Sequence, residues 1–206
     1  MKGYPSIPRS TGQAFFEIPD AYLFDKIDGR NLRVEWTKKA GWHKWGTRHR
    51  LFDATDAEFA PAIPLFEVTY SEPLARMATD SRWQRVTVYL EFWQEHSLGG
   101  YFQPGEEFHL TLFDIEPYKQ CMLGPKEFLR VTKSIPTAKF LGQTNWTRGI
   151  VESVWNGQVE GITFEGVVAK AGERHKLVKA KAKTKKWVDA ILARHGEVEG
   201  RKLIES

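Results

Sequence analysis

Lys26 stands two residues before Asp28 and five before Asn31 in the stretch FDKIDGRN, residues 24 to 31. The apolar run Ala21-Tyr22-Leu23-Phe24 leads into it. That pattern predicts a short strand ending in a tight turn, with the lysine where a buried strand stops. Gly29 is expected to supply the turn's unusual backbone angles, and Asp28 to point a carboxylate back toward the cavity that begins where the strand stops. A lysine amine is a poor nucleophile near neutral pH, because a pKa of about 10.4 leaves roughly a thousandth of it unprotonated. Burial, a neighbouring cation or a metal ion lowers that pKa and makes the amine reactive. The chemistry suggested is attack of an amine on a phosphate, which needs further cations and a metal. A Lys-x-Asp-Gly turn alone also reads as a solvated turn.

Other stretches carry groups that could complete such a site. Arg48, in WHKWGTRHRLF, has the guanidinium fork that matches phosphate oxygens; Arg50 is the alternative, and the stretch also reads as a surface strand with tryptophans inward and cations outward. Glu91 sits inside the very apolar LEFW, where a carboxylate is costly unless paired or bound to a ligand. FEGVVAK supplies Glu165 and Lys170. KAKTKKW, preceded by Lys179, places lysines at 179, 181 and 183, and period-two spacing puts all three on one strand face. Phe113 offers a flat apolar platform or core packing.

The bulk properties bound the setting. A chain of 206 residues suits one generous domain, and 41% apolar content indicates a globular protein. The net charge of +4 and pI near 9.1 permit a polyanionic partner without requiring one. A single cysteine, Cys121, rules out an internal disulfide and fits a reducing compartment. No signal peptide or bilayer-length apolar run is evident, so a soluble, cytoplasmic protein with no membrane partner is expected.

The remaining pattern places these residues on elements. Strands are predicted around AFFEI, at LRVEW (32 to 36), QRVTVYLEFW (84 to 93), FHLTLFDIE, ITFEGVVAKAG (162 to 172) and HKLVKAKAKTKKW, with a hairpin partner carrying Arg48 and Arg50. Helices are expected within 53 to 80 with an irregular entry, at GPKEFLRVTKSI, at TRGIVESVWNGQ closed by Asn156-Gly157, and at WVDAILARHG capped by Gly196. The tail beyond is charged and expected to fray.

In this order and spacing, KIDG, the basic strand with Arg48, LEFW, FEGVVAK and KAKTKKW resemble the motifs of the covalent nucleotidyltransferase superfamily of ATP-dependent polynucleotide ligases and mRNA capping enzymes. The resemblance runs from about residue 20 to 187. Asn31, the Lys-x-Lys spacing followed by an aromatic, and the short remaining chain are most similar to nick-sealing, phage-type RNA ligases. The resemblance implies an α+β adenylyltransferase domain over 1–190, with antiparallel sheets flanking an ATP cleft, no OB-fold domain, and a short helix end and tail over 191–206. It implies an ATP-dependent RNA ligase that joins 5′-phosphate and 3′-hydroxyl ends, in a phage or bacterial setting. Lys26 would take up AMP from ATP, with Asp28 and Asn31 in the same motif. Lys181 and Lys183 would contact the α-phosphate, with Lys179 as the alternative for one of them. Asp25, Glu91, Phe113 and Lys170 would serve nucleotide binding, Phe113 by stacking on adenine. Glu165 and Glu91 would hold Mg²⁺ or Mn²⁺, largely through waters, and Arg48 would hold the 5′-phosphate. The partner is nucleic acid, as RNA ends or a nicked duplex, with an accessory protein supplying additional grip. A minimal DNA ligase and a catalytically silent nucleic-acid-binding relative are the alternatives.

Overall fold

A computed structural model describes residues 1–10 and 15–205. It contains nine strands in two antiparallel sheets, with helices packed against them, so the fold class is α+β as expected. The chain divides into two compact units. One comprises Met1–Pro5, Gly29–His96 and Phe102–Thr137; the other comprises Ser6–Asp28, Ser97–Tyr101 and Ala138–Ser206. The KIDG motif is therefore split, with Lys26 and Asp28 in the second unit and Gly29 in the first.

The first unit is built on β2 (Arg30–Thr37), β3 (Gly41–Thr47), β4 (Leu51–Phe52), β5 (Arg85–Trp93) and β6 (His109–Pro117), in the order β4-β3-β2-β5-β6. Strict alternation in β2 and β5 sends Leu32 and Phe92 to a core with Phe52, Phe59 and Ala62. The anticipated irregular entry is the series of turns before α1 (Ala62–Phe66); α1 and α2 (Glu72–Asp80) are then joined through a wide π-helical turn, Glu67–Ser71, which was not foreseen. Tyr70 from that turn donates to the Leu110 carbonyl at 2.9 Å, and the Trp42 indole donates to that of Ser71 at 2.9 Å. A short α3 (Pro125–Val131) follows, with proline in its first turn.

The second unit holds β1 (Ile18–Lys26), β7 (Phe140–Trp146), β8 (Gly166–Ala171) and β9 (Val178–Lys183), in the order β7-β1-β8-β9. One face of this sheet carries Ala21, Leu23, Ala169, Ala180 and Ala182, packed against α4 (Arg148–Trp155) through Val154. The small alanines let the helix approach closely. The amino-terminal arm adds a parallel bridge at Arg9 to the edge of β9: Ser10 N donates to the Lys181 carbonyl at 3.0 Å, and Lys181 N to that of Pro8 at 3.1 Å.

Several expectations are corrected. Strand β1 begins at Ile18, not at Phe15, while Ala14 lies outside the described residues. Arg48 and Arg50 lie in the turn between β3 and β4 rather than on a strand, because Thr47 closes the turn by accepting from the N–H groups of residues 49 and 50. Strand β7 was not foreseen. The carboxy-terminal segment does not fray: α5 (Lys185–Glu205) kinks at Gly196 (φ 72°, ψ 173°) and stays helical, burying Ile204 beside Trp187, Val188 and Ile191. No helix among the described residues is long and apolar enough to cross a membrane.

Gly29 serves close approach rather than a turn angle. It is absent from the glycines of positive φ, and a Cβ there would lie 2.4 Å from the Phe92 carbonyl oxygen and 2.8 Å from Trp93 Cβ. Gly29→Ala should therefore lower the unfolding free energy by about 1–3 kcal/mol, while Gly149→Ala, inside α4 where a Cβ comes no closer than 3.8 Å to a neighbour, should be neutral or stabilising by up to about 1 kcal/mol. Urea unfolding of the two variants checks the difference.

Candidate active site

Pairing across β1, β8 and β9 puts Lys26, Gly166 and Lys183 in one row. Strands lie about 4.8 Å apart, so two lysines flank a position that has no side chain. Glu165, immediately before Gly166, extends its carboxylate to both. Lys26 Nζ donates to Glu165 Oε2 at 2.6 Å, and Lys183 Nζ lies 3.1 Å from Oε1. Glu165 and Lys183 are each only 4% exposed. The row is tight because Gly166 is glycine: a Cβ there would be 2.0 Å from the Ala182 carbonyl oxygen. The basic stretch is thus not a solvated strand, since Lys181 is buried as well.

The electrostatics follow from burial and pairing. Burial alone would raise the Glu165 pKa, but the ammonium groups of Lys26 and Lys183 outweigh it and hold the carboxyl below its usual range. Lys183 is lowered to about 8, first by burial, against the attraction of Glu165 and with repulsion from Lys26. That repulsion is mutual, so loss of a proton from either lysine relieves the other. Two ammoniums on one carboxylate leave one positive charge, which Asp28 offsets once it ionises above about pH 6. Lys183 also donates to the Leu203 carbonyl at 3.4 Å and stands 4.0 Å from the Trp187 ring centroid.

Asp28, like Asp25 and Glu165, is a buried carboxylate of this unit. Its oxygens accept from the Trp187 indole at 2.7 Å, Gly99 N at 2.8 Å and Gly100 N at 3.1 Å, and Ser97 Oγ donates to its carbonyl at 2.6 Å. It ties the end of β1 to the Ser97–Tyr101 segment and to α5. Thr184 caps that helix, accepting from Trp187 N at 3.1 Å. The glycine pair reads in sequence only as a loop; its role as a donor pair to Asp28 has no local signature.

The other candidates of this unit lie nearby in the sheet. Lys170 pairs with Tyr22 and Lys179, and its Nζ lies 4.9 Å from the Phe24 ring centroid. Lys181 pairs with Val168, so Lys179, Lys181 and Lys183 share one face as their spacing predicts. Asp25 is on the opposite face of β1 from Lys26, and its carboxylate accepts from Thr163 N at 2.9 Å and from the Thr163 hydroxyl. Strand alternation is the reason.

In the first unit, Asn31, Glu91 and Thr111 lie side by side across β2, β5 and β6. Phe113 occupies a bulge, since Tyr89 faces Asp114 and Leu90 faces Leu112. The Tyr4 ring stands edge-on to Phe113 at 5.0 Å, and its hydroxyl donates to Asp114 at 2.5 Å. Arg50 is exposed and paired with Asp56, whereas Arg48 is half-buried with an Nε that has no hydrogen-bond partner. Of the two, Arg48 is the arginine available to a ligand.

No group of three His, Cys, Asp or Glu residues converges to hold a metal among the described residues. Both Glu165 oxygens already face ammonium groups. Such a donor set fits an ion that keeps most of its waters and leans on substrate phosphate, as Mg²⁺ does, and does not fit a fully protein-ligated one.

Asp28 has a pKa raised to about 6, first by burial and then by Glu165, against its three N–H donors and Lys26. The folded protein thus holds this proton more tightly than the unfolded chain, where the value is 3.8. Stability from Asp28 is greatest below about pH 4 and declines as pH rises to about 6. The wild-type unfolding free energy minus that of Asp28→Asn should fall across this window by up to about 3 kcal/mol. Urea unfolding at stepped pH checks the slope, and a flat difference would contradict the burial of a titrating acid.

No family model and no curated protein sequence matches the chain. Solved structures do. An archaeal ATP-dependent RNA ligase, in its form 1, superposes with a TM-score of 0.67 at 15% identity, covering 99% of this chain and 56% of that one. Form 2 gives 0.62 at 15% identity, covering 93% and 51%. A Naegleria gruberi RNA ligase variant solved with AMP and Mn gives 0.60 at 16% identity, covering 86% and 52%. The chain spans about half the length of the structures it matches, and in fold it is similar to these RNA ligases.

Proposed function

We propose that the chain is an ATP-dependent RNA ligase acting through a lysyl-AMP intermediate. The observation that carries the reading is the buried row in which Lys26 and Lys183 share the Glu165 carboxylate. It supplies an amine, a second cation that disfavours that amine's proton, and ammonium groups that could receive a phosphate. The superposition on RNA ligases, one of them solved with AMP and Mn, supports it at the level of fold.

The chemistry has three displacements at phosphorus. The Lys26 amine attacks the α-phosphorus of ATP, the bond to pyrophosphate breaks, and the amine loses its proton. An oxygen of a strand's 5′-phosphate then displaces the lysine and takes up AMP. A 3′-hydroxyl finally displaces AMP and closes the phosphodiester. Each step needs in-line positioning and charge neutralisation more than covalent help from the protein. The resting ion pair with Glu165 holds Lys26 as an ammonium, so an arriving phosphate must take over that contact before attack. Lys181 and Lys183 would receive the α-phosphate, and Lys170 the ribose or a phosphate. The resemblance assigns Phe113 to the adenine and Glu91 to the ribose or the metal. Mg²⁺ or Mn²⁺, held by Glu165 chiefly through water, would neutralise phosphate charge. Arg48 would hold the strand's 5′-phosphate. An accessory protein could add grip on the nucleic acid.

Incubation with α-labelled ATP and Mg²⁺ should leave a covalent AMP adduct on the wild type and none on Lys26→Ala, as read by denaturing electrophoresis and mass spectrometry. An adduct that persists in Lys26→Ala would sink the assignment. Arg48→Ala should lose sealing of 5′-phosphorylated strands by about tenfold or more, the worth of a charged hydrogen bond, with a smaller effect on the adduct. Equal loss of both would remove Arg48 from the strand. Competition between nicked RNA and nicked DNA separates this reading from a minimal DNA ligase.

A further inference from the structure

The hairpin that joins β8 to β9 ends in a basic turn that the candidate active site does not use. Residues 172 to 176, Gly-Glu-Arg-His-Lys, are all exposed. Lys176 N donates to the Glu173 carbonyl at 3.0 Å and Leu177 N to that of Arg174 at 3.1 Å, which closes the turn. Gly172 has φ 79°, and a Cβ on it would stand 2.3 Å from the Lys176 carbonyl oxygen, so the chain reverses tightly. Arg174 sits at φ 52°. That left-handed backbone is cheap for glycine or asparagine and strained for arginine. The turn's geometry alone therefore disfavours the residue found there, and strain of this kind gathers where a side chain serves a function.

The charge of the turn is not neutralised. Elsewhere on the surface, exposed arginines take a carboxylate three or four residues away: Arg76 takes Glu72, Arg130 takes Glu127 and Arg201 takes Glu197. Arg174 and Lys176 have no ion-pair partner among the described residues, although Glu173 is next to Arg174 in sequence and is itself exposed. Behind them Lys179 lies opposite Lys170 across the hairpin. Like charges directly opposed weaken a sheet. Cations are thus gathered where the fold gains nothing from their proximity.

The same hairpin leads back to the paired lysines. Lys183 is five residues from Val178 at the start of β9, about 17 Å at about 3.3 Å per residue. A paired hairpin holds the turn at that distance from the row Lys26–Gly166–Lys183. A strand whose end lies at that row carries a phosphate on every nucleotide, so its body can reach the turn.

We infer that Arg174 and Lys176 form a contact surface for the phosphate backbone of an RNA strand, away from its reacting end. That the turn takes a polyanion rests on its charge and backbone. That the polyanion is the RNA to be joined rests on the ligase reading.

Binding of a labelled, 5′-phosphorylated RNA oligonucleotide to the full chain, without ATP and at stepped KCl, tests the surface. Each phosphate contact adds about 0.7 to the steepness of log affinity against log salt for a single strand. The double variant Arg174→Ala with Lys176→Ala should bind more weakly, with a slope shallower by about 1.4. Arg174→Lys with Lys176→Arg should keep the wild-type slope. Arg76→Ala with Arg130→Ala removes the same charge from paired positions and should leave the slope unchanged. Arg174→Gly should lose affinity and yet unfold at no lower temperature than wild type, because glycine accepts the left-handed backbone; an arginine that only shapes the turn would leave affinity unmoved. A wild-type slope in the Arg174 and Lys176 alanine variant, an equal loss in the Arg76 and Arg130 variant, or no RNA binding by the wild type overturns the surface. Labelling with α-labelled ATP keeps the two readings apart. The alanine variant at the turn should form the AMP adduct at the wild-type level, and an adduct absent from the wild type counts against the ligase reading while the binding result stands.

Discussion

Everything proposed for the lysine-bearing unit depends on one buried carboxylate holding two ammonium groups. Glu165 is too deep to stay ionised unaided, and Lys26 and Lys183 keep it so. The three residues come from three strand ends, and only the pairing Lys26–Gly166–Lys183 brings them together. Gly166 is the hinge of that arrangement, because the strands approach too closely there for any Cβ. The other face of the same sheet solves a different problem with the alternate residues: alanines at 169, 180 and 182 admit α4 and build the core. Period-two alternation lets one strand, β9, serve both tasks, with alanine inward to the helix and lysine to the opposite face.

A common economy runs through both units. In one, two lysines share a single carboxylate; in the other, Arg33 is buried with an Nε that has no hydrogen-bond partner. Neither arrangement is what stability alone would select, since apolar replacements of like volume are often neutral or better. Under the proposed reading, a phosphate would offset the positive charge that Lys26 and Lys183 leave beside Glu165.

Much of this was legible in the sequence, for reasons that also explain the gaps. Strands β2, β5 and β9 are recognisable because their residue types change along the strand with period two, although both faces of each are largely buried. Strand β7 is an edge whose middle residues, Gln143, Thr144 and Asn145, are exposed, so burial imposes no period on it. Arg33 reads as the polar half of LRVEW and therefore as solvent-facing; its burial comes from an arm thirty residues away in sequence, which leaves no local trace. Arg48 and Arg50 look equivalent until Asp56 is seen to occupy one of them. The fold of the helical tail depends on Ile204 reaching Ile191, again a contact that charge-rich composition conceals.

Asp28 shows how the motif's second carboxylate tempers its first lysine. Its three N–H donors would favour the ionised form, yet burial and the charge of Glu165 prevail and its pKa sits near 6. Below that value the group Lys26, Lys183, Glu165 and Asp28 carries one net positive charge; above it, the positive and negative charges balance. Lys183 then begins to lose its proton near pH 8. In the proposed reaction a phosphate would be drawn most strongly to the cluster when it is positive. Asp28 is also the residue that fixes the end of β1 to Gly99, Gly100 and Trp187. Replacing it to change the cluster's charge therefore loosens the strand that carries Lys26, so its electrostatic and positional roles are coupled through the same three hydrogen bonds.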